Sequence, residues 1–185
     1  LLEAVYLLAT TRSFRSSSER QLINRESGRA YDVPPYARVI GEIALDHGRT
    51  TIEMTIAVEP DRGSVRKRIK QDGYPRRAID VVGTLRVVLF SPEDLELVLG
   101  SPSVRRRYLD VSLSQIDPAY LRSLTRYVRL LEQRNSLLKQ VGGASGPRDR
   151  RGVEEQLAYW DEQLVIHGSY VLVTRLRFVR ALAAS

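Results

Sequence analysis

From residue 37 the chain alternates apolar and polar positions. Val39, Gly41, Ile43 and Leu45 stand against Arg38, Glu42 and Ala44 over residues 37–45. Asp46-His47-Gly48-Arg49 reads as a turn, and residues 51–58 return with Ile52, Met54, Ile56 and Val58 on one face. Because side chains on a strand point alternately to its two faces, this pattern predicts an antiparallel hairpin with one buried face. Pro60-Asp61-Arg62-Gly63 predicts the next turn. Residues 65–71 then set Val65, Lys67 and Ile69 against Arg66, Arg68 and Lys70, and Asp72-Gly73 is a tight-turn signal. Residues 75–79 lead away and 78–83 form a connecting segment. Residues 85–90, apolar but for Arg86, predict a buried strand of the central, parallel kind.

On either side of these strands the period is helical. Residues 1–10 are apolar nearly all round (Leu1, Leu2, Val5, Leu7, Leu8), as in a helix buried within a larger domain. Thr11 to Ser18 reads as a polar loop, and residues 19–24 as a short helical turn ending near Gly28. Ser91-Pro92-Glu93-Asp94 and Ser101-Pro102 repeat one helix-start signal. A capping serine precedes a proline whose missing N–H costs nothing at the first position, and acids in the first turn suit the helix dipole. The first of these helices is predicted to stop at Gly100 and the second near Asp110. Asp117-Pro118 predicts a third, running to about Lys139, with Leu121, Leu124, Val128, Leu131, Asn135 and Leu138 as a heptad seam. Residues 141–152 have loop composition. Residues 154–184 predict a returning helix with Leu157, Trp160, Leu164, Val171 and Phe178 on one face and a bend or interruption at Gly168. The expectation is an α+β chain: a sheet portion over residues 1–110, then a helical lobe over 111–185 holding an antiparallel helical hairpin.

Composition narrows the function classes. The chain has 185 residues, 43% hydrophobic and 28% charged, with no apolar run near the roughly 20 residues of a membrane helix. It opens without Met or a basic leader, so residues 1–9 are expected to be a helix that has lost its beginning and not a signal peptide. No cysteine is present, which excludes disulfides and thiolate metal sites and agrees with a cytoplasmic location. His47 and His167 lack ligand spacing, so no metal site is expected. Twenty-nine Lys and Arg against 22 Asp and Glu give a net charge of +7, which favours a polyanionic partner through counterion release. An arginine-rich surface that is merely solvated would read the same way.

The basic side chains fall in groups. Arg66, Arg68 and Lys70, with Arg76 and Arg77 after the turn, form a cationic sheet face able to track a DNA backbone; the same charges also protect a sheet edge from aggregation. Arg105 and Arg106 lie on the second short helix, and Arg148, Arg150 and Arg151 in the loop of the hairpin. Arg12 and Arg15 follow the first helix. Val87-Val88-Leu89-Phe90 before Glu93 and Asp94 imitates a strand bearing a catalytic acid, but the acids arrive two positions late, and their proper reading is a helix first turn. A self-sufficient, non-enzymatic module, its sheet binding nucleic acid and its hairpin docking a partner, is an alternative on these grounds.

Several stretches together resemble the RecF family of bacterial recombination mediators, ATPases of the SMC/ABC head class. They are Leu89-Phe-Ser-Pro-Glu-Asp-Leu-Glu-Leu-Val98, Gly100-Ser-Pro-Ser-Val-Arg-Arg-Arg-Tyr-Leu-Asp110, Ser114-Gln-Ile-Asp-Pro-Ala-Tyr120 and Gln133-Arg-Asn-Ser-Leu-Leu-Lys139, with Arg12-Ser-Phe-Arg15 and Trp160-Asp-Glu-Gln-Leu164 in collinear order. The resemblance implies the end of a phosphate-loop helix, an antiparallel β-subdomain and the first part of a helical lobe. It implies a protein that binds ATP with Mg, dimerises around nucleotide, binds duplex DNA near single-strand gaps and works with RecO- and RecR-type partners. Arg12 and Arg15 would lie near nucleotide, as would Ser91 and Glu93 at the phosphate-sensing position, where the family's usual glutamine is absent. The chain has no Gly-Lys pair, and no phosphate loop, signature motif or acid-bearing strand is recognisable in it. This chain alone is therefore expected neither to hydrolyse ATP nor to bind it tightly.

Overall fold

The computed structural model describes residues 1–60, 63–142 and 150–184, with only the backbone of Glu93, Arg150 and Arg151. Two compact units divide the chain, Leu1–Leu95 and Glu96–Ser185. The architecture is α+β: an antiparallel sheet in the first unit and helices in the second.

In the first unit, helix α1 (Leu2–Thr10) precedes four strands, β1 (Tyr36–Leu45), β2 (Gly48–Val58), β3 (Val65–Gln71) and β4 (Tyr74–Arg76), paired antiparallel in chain order. Register follows the alternation: Val39 faces Met54, and Met54 faces Ile69. Ile52, Met54 and Ile56 are fully buried among Ile43, Ile69, Leu7, Leu8 and Ile23. A Cβ on Gly41 would stand 2.6 Å from Leu8 Cδ1, so the glycine lets α1 press on β1. The β3–β4 turn puts Asp72 (φ 52°) and Gly73 (φ 82°) both in the left-handed region, the two-residue turn that suits strand twist. Asp72 also ties the turn to β2, its carboxylate accepting from Thr51 N at 2.8 Å and Thr50 Oγ1 at 2.9 Å.

Two expectations for this unit fail. Residues 74–76 form a short edge strand, which the proline disguised, although edges tolerate proline. Residues 85–90 are not a strand: among the described residues no strand pairs with them, and Val88 and Phe90 are 91% and 89% exposed. Without a neighbouring strand to pair with, an apolar run does not become part of a ladder. Helix α2 (Ala78–Val81) precedes it, and a 3-10 turn (Pro92–Leu95) follows, with Asp94 Oδ2 accepting from Ser91 N at 2.6 Å.

The second unit holds α3 (Glu96–Leu99), α4 (Pro102–Ile116), α5 (Pro118–Gly142) and α6 (Arg150–Ala183). Helix α4 continues six residues past its expected end near Asp110, because Pro118 is the first residue to force its predecessor out of helical conformation. Asp117 then caps α5, its Oδ1 accepting from Ala119 N at 2.8 Å and Tyr120 N at 3.1 Å. Ser101 makes no such cap; its hydroxyl meets Ser103 Oγ at 2.6 Å. Leu113, Tyr120 and Val171 form the core, with Leu109, Leu124 and Phe178 against them.

On α6 the expected inward face holds: Leu157, Trp160, Leu164, Val171 and Phe178 are all buried or half-buried. On α5 the expected seam holds at Leu121 and Leu124, both half-buried, and from there is turned by one residue. Tyr127, Leu130, Arg134 and Leu137 face inward with Tyr120, whereas Val128, Leu131, Asn135 and Leu138 are exposed. Gly168 does not interrupt α6. It stands where a Cβ would come within 3.0 Å of Tyr127 Cε2, so its role is to admit that ring.

Candidate nucleic-acid interface

Strand pairing fixes the cationic face. Arg66 lies opposite Ala57, Arg68 opposite Thr55 and Lys70 opposite Glu53, so all three share the solvent side of the sheet. Carboxylates on or beside that side are partly taken. Arg38 Nε meets Glu53 Oε1 at 3.0 Å and by that hydrogen bond holds the Glu53 carboxyl below its usual range. Arg49 pairs with Glu42 at 2.7 Å, and Arg66 with Glu59 at 3.6 Å. Among the described residues Arg68, Lys70 and Arg76 form no ion pair, although Lys70 contributes to the field on Glu53.

Arg76 pairs with inward-facing Ile69, so its side chain leaves the sheet on the side opposite Lys70. It is exposed all the same, since β4 is a three-residue edge. Arg77, just before α2, grips Asp80 with Nε and Nη2, at 2.7 and 2.9 Å; that grip holds the Asp80 carboxyl below its usual range. Because β4 covers only residues 69–71 of β3, no strand among the described residues pairs with the rest of that edge. There Arg66, Arg68, Lys70, Arg76 and Arg77 line a shallow groove of about 390 Å³. The structure thus gathers all five expected sheet cations, three on the face and two around its edge.

Lys67 was not singled out by sequence for a role of its own. It points inward, donating to Thr11 O at 2.9 Å and pairing with Glu19. Its alternation with Arg66 and Arg68 was the available signal. Through Lys67, β3 supports the loop bearing Arg12 and Arg15, where Thr11 takes a left-handed turn at φ 59°. Ser13 Oγ accepts from Arg15 N at 3.0 Å and donates to Glu3 Oε1 at 2.5 Å. Arg12 is exposed, and Arg15 lies 5.8 Å over the Phe14 ring, which meets Tyr6 edge-on. The start of α1 offers an exposed Leu1 and Leu2 and the acid Glu3, and Ser91 gives its N–H to Asp94. These groups do not fit a triphosphate, which needs converging N–H donors and a lysine. Among the described residues no cluster of three potential metal ligands occurs. The Glu93 side chain lies outside the described residues.

In the second unit Arg105 caps α3, its Nε and Nη2 donating to Leu97 O at 2.9 Å and Val98 O at 2.8 Å. Arg106 is exposed on α4. Arg148 and the side chains of Arg150 and Arg151 lie outside the described residues. A half-buried group not foreseen from sequence joins three helices: Arg175 Nη2 to Asp110 Oδ1 at 2.6 Å, Arg175 Nε to Tyr120 Oη at 3.0 Å, and Tyr120 Oη donating to Asp110. Burial, then the Asp110 hydrogen bond, push the Tyr120 hydroxyl well up, so it stays a donor. Nothing in local pattern links residues 55 to 65 positions apart.

No protein-family model matches the chain. Among curated proteins, "DNA replication and repair protein RecF" of Thermomicrobium roseum is 59% identical over 179 residues, 97% of this chain and 44% of that protein. The same-named protein of Chloroflexus aurantiacus is 44% identical, over 97% of this chain and 46% of that protein. The chain therefore spans about half the length of the curated relatives it matches. A solved structure of the recombination mediator protein RecF with ATPrS in the RecFOR pathway superposes with a TM-score of 0.79 at 32% identity, over 97% of this chain and 44% of that one. The RecF–ATP structure of that pathway matches equally well.

Proposed function

This chain belongs, along 97% of its length, to the RecF family, and we propose that its basic sheet is a DNA-contacting surface of an ATP-dependent repair protein. In this reading the whole protein acts in recombinational repair and replication restart. It binds DNA at gaps, dimerises with ATP and Mg, and assists recombinase loading with RecO- and RecR-type partners. The observation that carries the reading is Arg68 and Lys70, which share one sheet face with Arg66 and form no ion pair among the described residues. Adjacent residues of like parity on a strand are about 7 Å apart, matching the spacing of phosphates along a nucleic-acid strand. Arg76 and Arg77 extend the strip around the edge. Arg106, Arg148, Arg150 and Arg151 belong to the same proposal as a second contact from the helical lobe, and Arg105 through its support of α3. Arg12 and Arg15 are proposed to lie near nucleotide, with Ser91 and Glu93, in the whole protein.

Contact on this strip needs no bond making. Guanidinium and ammonium groups displace counterions from phosphates, so affinity falls with salt by about 0.9 log per log salt for each phosphate neutralised on duplex. Titrating a fluorescent 20-base-pair duplex with this chain at several salt concentrations tests it. Arg68→Ala with Lys70→Ala should lower affinity and flatten the slope by about 2. Equal slopes for parent and double variant would overturn the assignment.

A further inference from the structure

Beside the cationic strip, on the same face, lies a second open groove of about 590 Å³ with different walls. Its floor is the Tyr36–Ala57–Arg66 and Thr55–Arg68 part of the sheet, and one side is Val33 and Pro34. Pro60 and Glu59 close the far side, with Glu59 held by Ser64 Oγ at 2.8 Å and Arg66 at 3.6 Å. Tyr36 has the same strand parity as Arg38, so its side chain belongs to the outer face and plays no part in the buried core.

The Val33–Pro34 wall is built in advance. Tyr36 N donates to Ser27 Oγ at 2.9 Å, and that hydroxyl donates to Tyr36 O at 2.7 Å. Gly28, at φ 84°, brings the backbone so close that a Cβ there would meet Val33 O at 2.5 Å and Pro34 O at 2.9 Å. Val58 N then donates to Pro35 O at 3.1 Å, fastening the loop to β2. A fixed apolar slot with an aromatic ring, polar groups at one end and two arginines at its mouth is what a flat, partly polar ring attached to a phosphate requires.

We propose that this groove receives an unpaired nucleobase of the DNA strand whose phosphates lie on Arg66 and Arg68. Those two arginines line both grooves, which makes the slot and the strip one continuous surface. The base stacks on Tyr36 against Val33 and Pro34, and an exocyclic amine at its edge donates to Thr55 Oγ1 or the Glu59 carboxylate. A base within a duplex is stacked on its neighbours and unavailable, so the slot distinguishes single-stranded from paired DNA without reading sequence. This inference rests on the strip being a DNA surface.

The test compares the 185-residue chain with Tyr36→Ala and Tyr36→Phe. The substrates are a blunt duplex, the same duplex with a ten-nucleotide single-stranded tail, and that tail with every base removed. The tail should tighten binding. Tyr36→Ala should weaken binding to the tailed duplex at least about fivefold, the lower end of one stacked base, and leave the blunt duplex unchanged; Tyr36→Phe should bind like the parent. The abasic tail should lose the same factor with the unaltered protein, a result independent of any variant. Equal binding of intact and abasic tails, with Tyr36→Ala indistinguishable from parent, would overturn the base slot and leave the strip standing. Loss of salt dependence on the blunt duplex would instead remove the strip, and the slot with it.

Discussion

Arg66, Lys67 and Arg68 are chemically alike and consecutive, yet strand geometry gives them different work. Arg66 and Arg68 leave the sheet toward solvent, while Lys67, its side chain 19% exposed, turns inward to Thr11 O and Glu19. Thr11 is itself buried, so removing the ammonium strands its carbonyl, while the Glu19 side chain, 40% exposed, is left to water. Leaving such a carbonyl unpaired costs about 1–3 kcal/mol. Lys67→Ala should therefore lower stability by that amount in urea denaturation while leaving the salt slope of DNA binding unchanged. Arg68→Ala should do the reverse. If Lys67→Ala flattened the slope and spared stability, the division by strand parity would be wrong.

At the scale of elements, α5 explains which parts of the fold the sequence could disclose. Its apolar residues come in neighbouring pairs, Leu130 with Leu131 and Leu137 with Leu138, and neighbours on a helix are about 100° apart. Two seams one residue apart then fit the same heptad spacing. The choice falls to partners far along the chain: Tyr120 in the core, Tyr127 over Gly168, and Arg134, whose Nε meets Asp161 Oδ1 at 2.6 Å. On α6 the buried stripe has Trp160 and Phe178 as its bulkiest members, and periodicity chose correctly. The β1–β2 hairpin was legible because a strand's period of two admits no neighbouring solution. The cationic face followed from the same alternation; the Tyr36 groove did not, since its walls come from a loop and a turn that carry no period. The corrected seam has an energetic consequence. Leu130, 1% exposed, should cost about 2–5 kcal/mol on truncation to alanine. Asn135→Ala should stay within about 0.5 kcal/mol, as a surface change does. Chemical denaturation of the two variants decides between the seams, and the reverse ranking would restore the heptad through Asn135.

Across the whole molecule, each unit closes a core of its own and leaves apolar side chains that the core does not use. In the first unit Val88 and Phe90 are almost fully exposed, and Leu1 and Leu2 are exposed too. In the second, Val165, Leu172, Leu176 and Val179 form a stripe along α6 one residue round from the buried one, each between 46% and 67% exposed. Single exposed apolar residues are ordinary, but contiguous ones drive association because burying them removes apolar surface from water. The chain should therefore sediment with a weight-average mass that rises with concentration. The stripe is the larger and more regular surface, so Leu172→Lys with Leu176→Lys should lower the association more than Val88→Ser with Phe90→Ser. Circular dichroism should be the same for both, since none of the four side chains belongs to a core cluster. A single 21.0 kDa species at every concentration would sink the expectation. Equal effects from the two pairs would mean that exposed area, not its helical arrangement, sets the association.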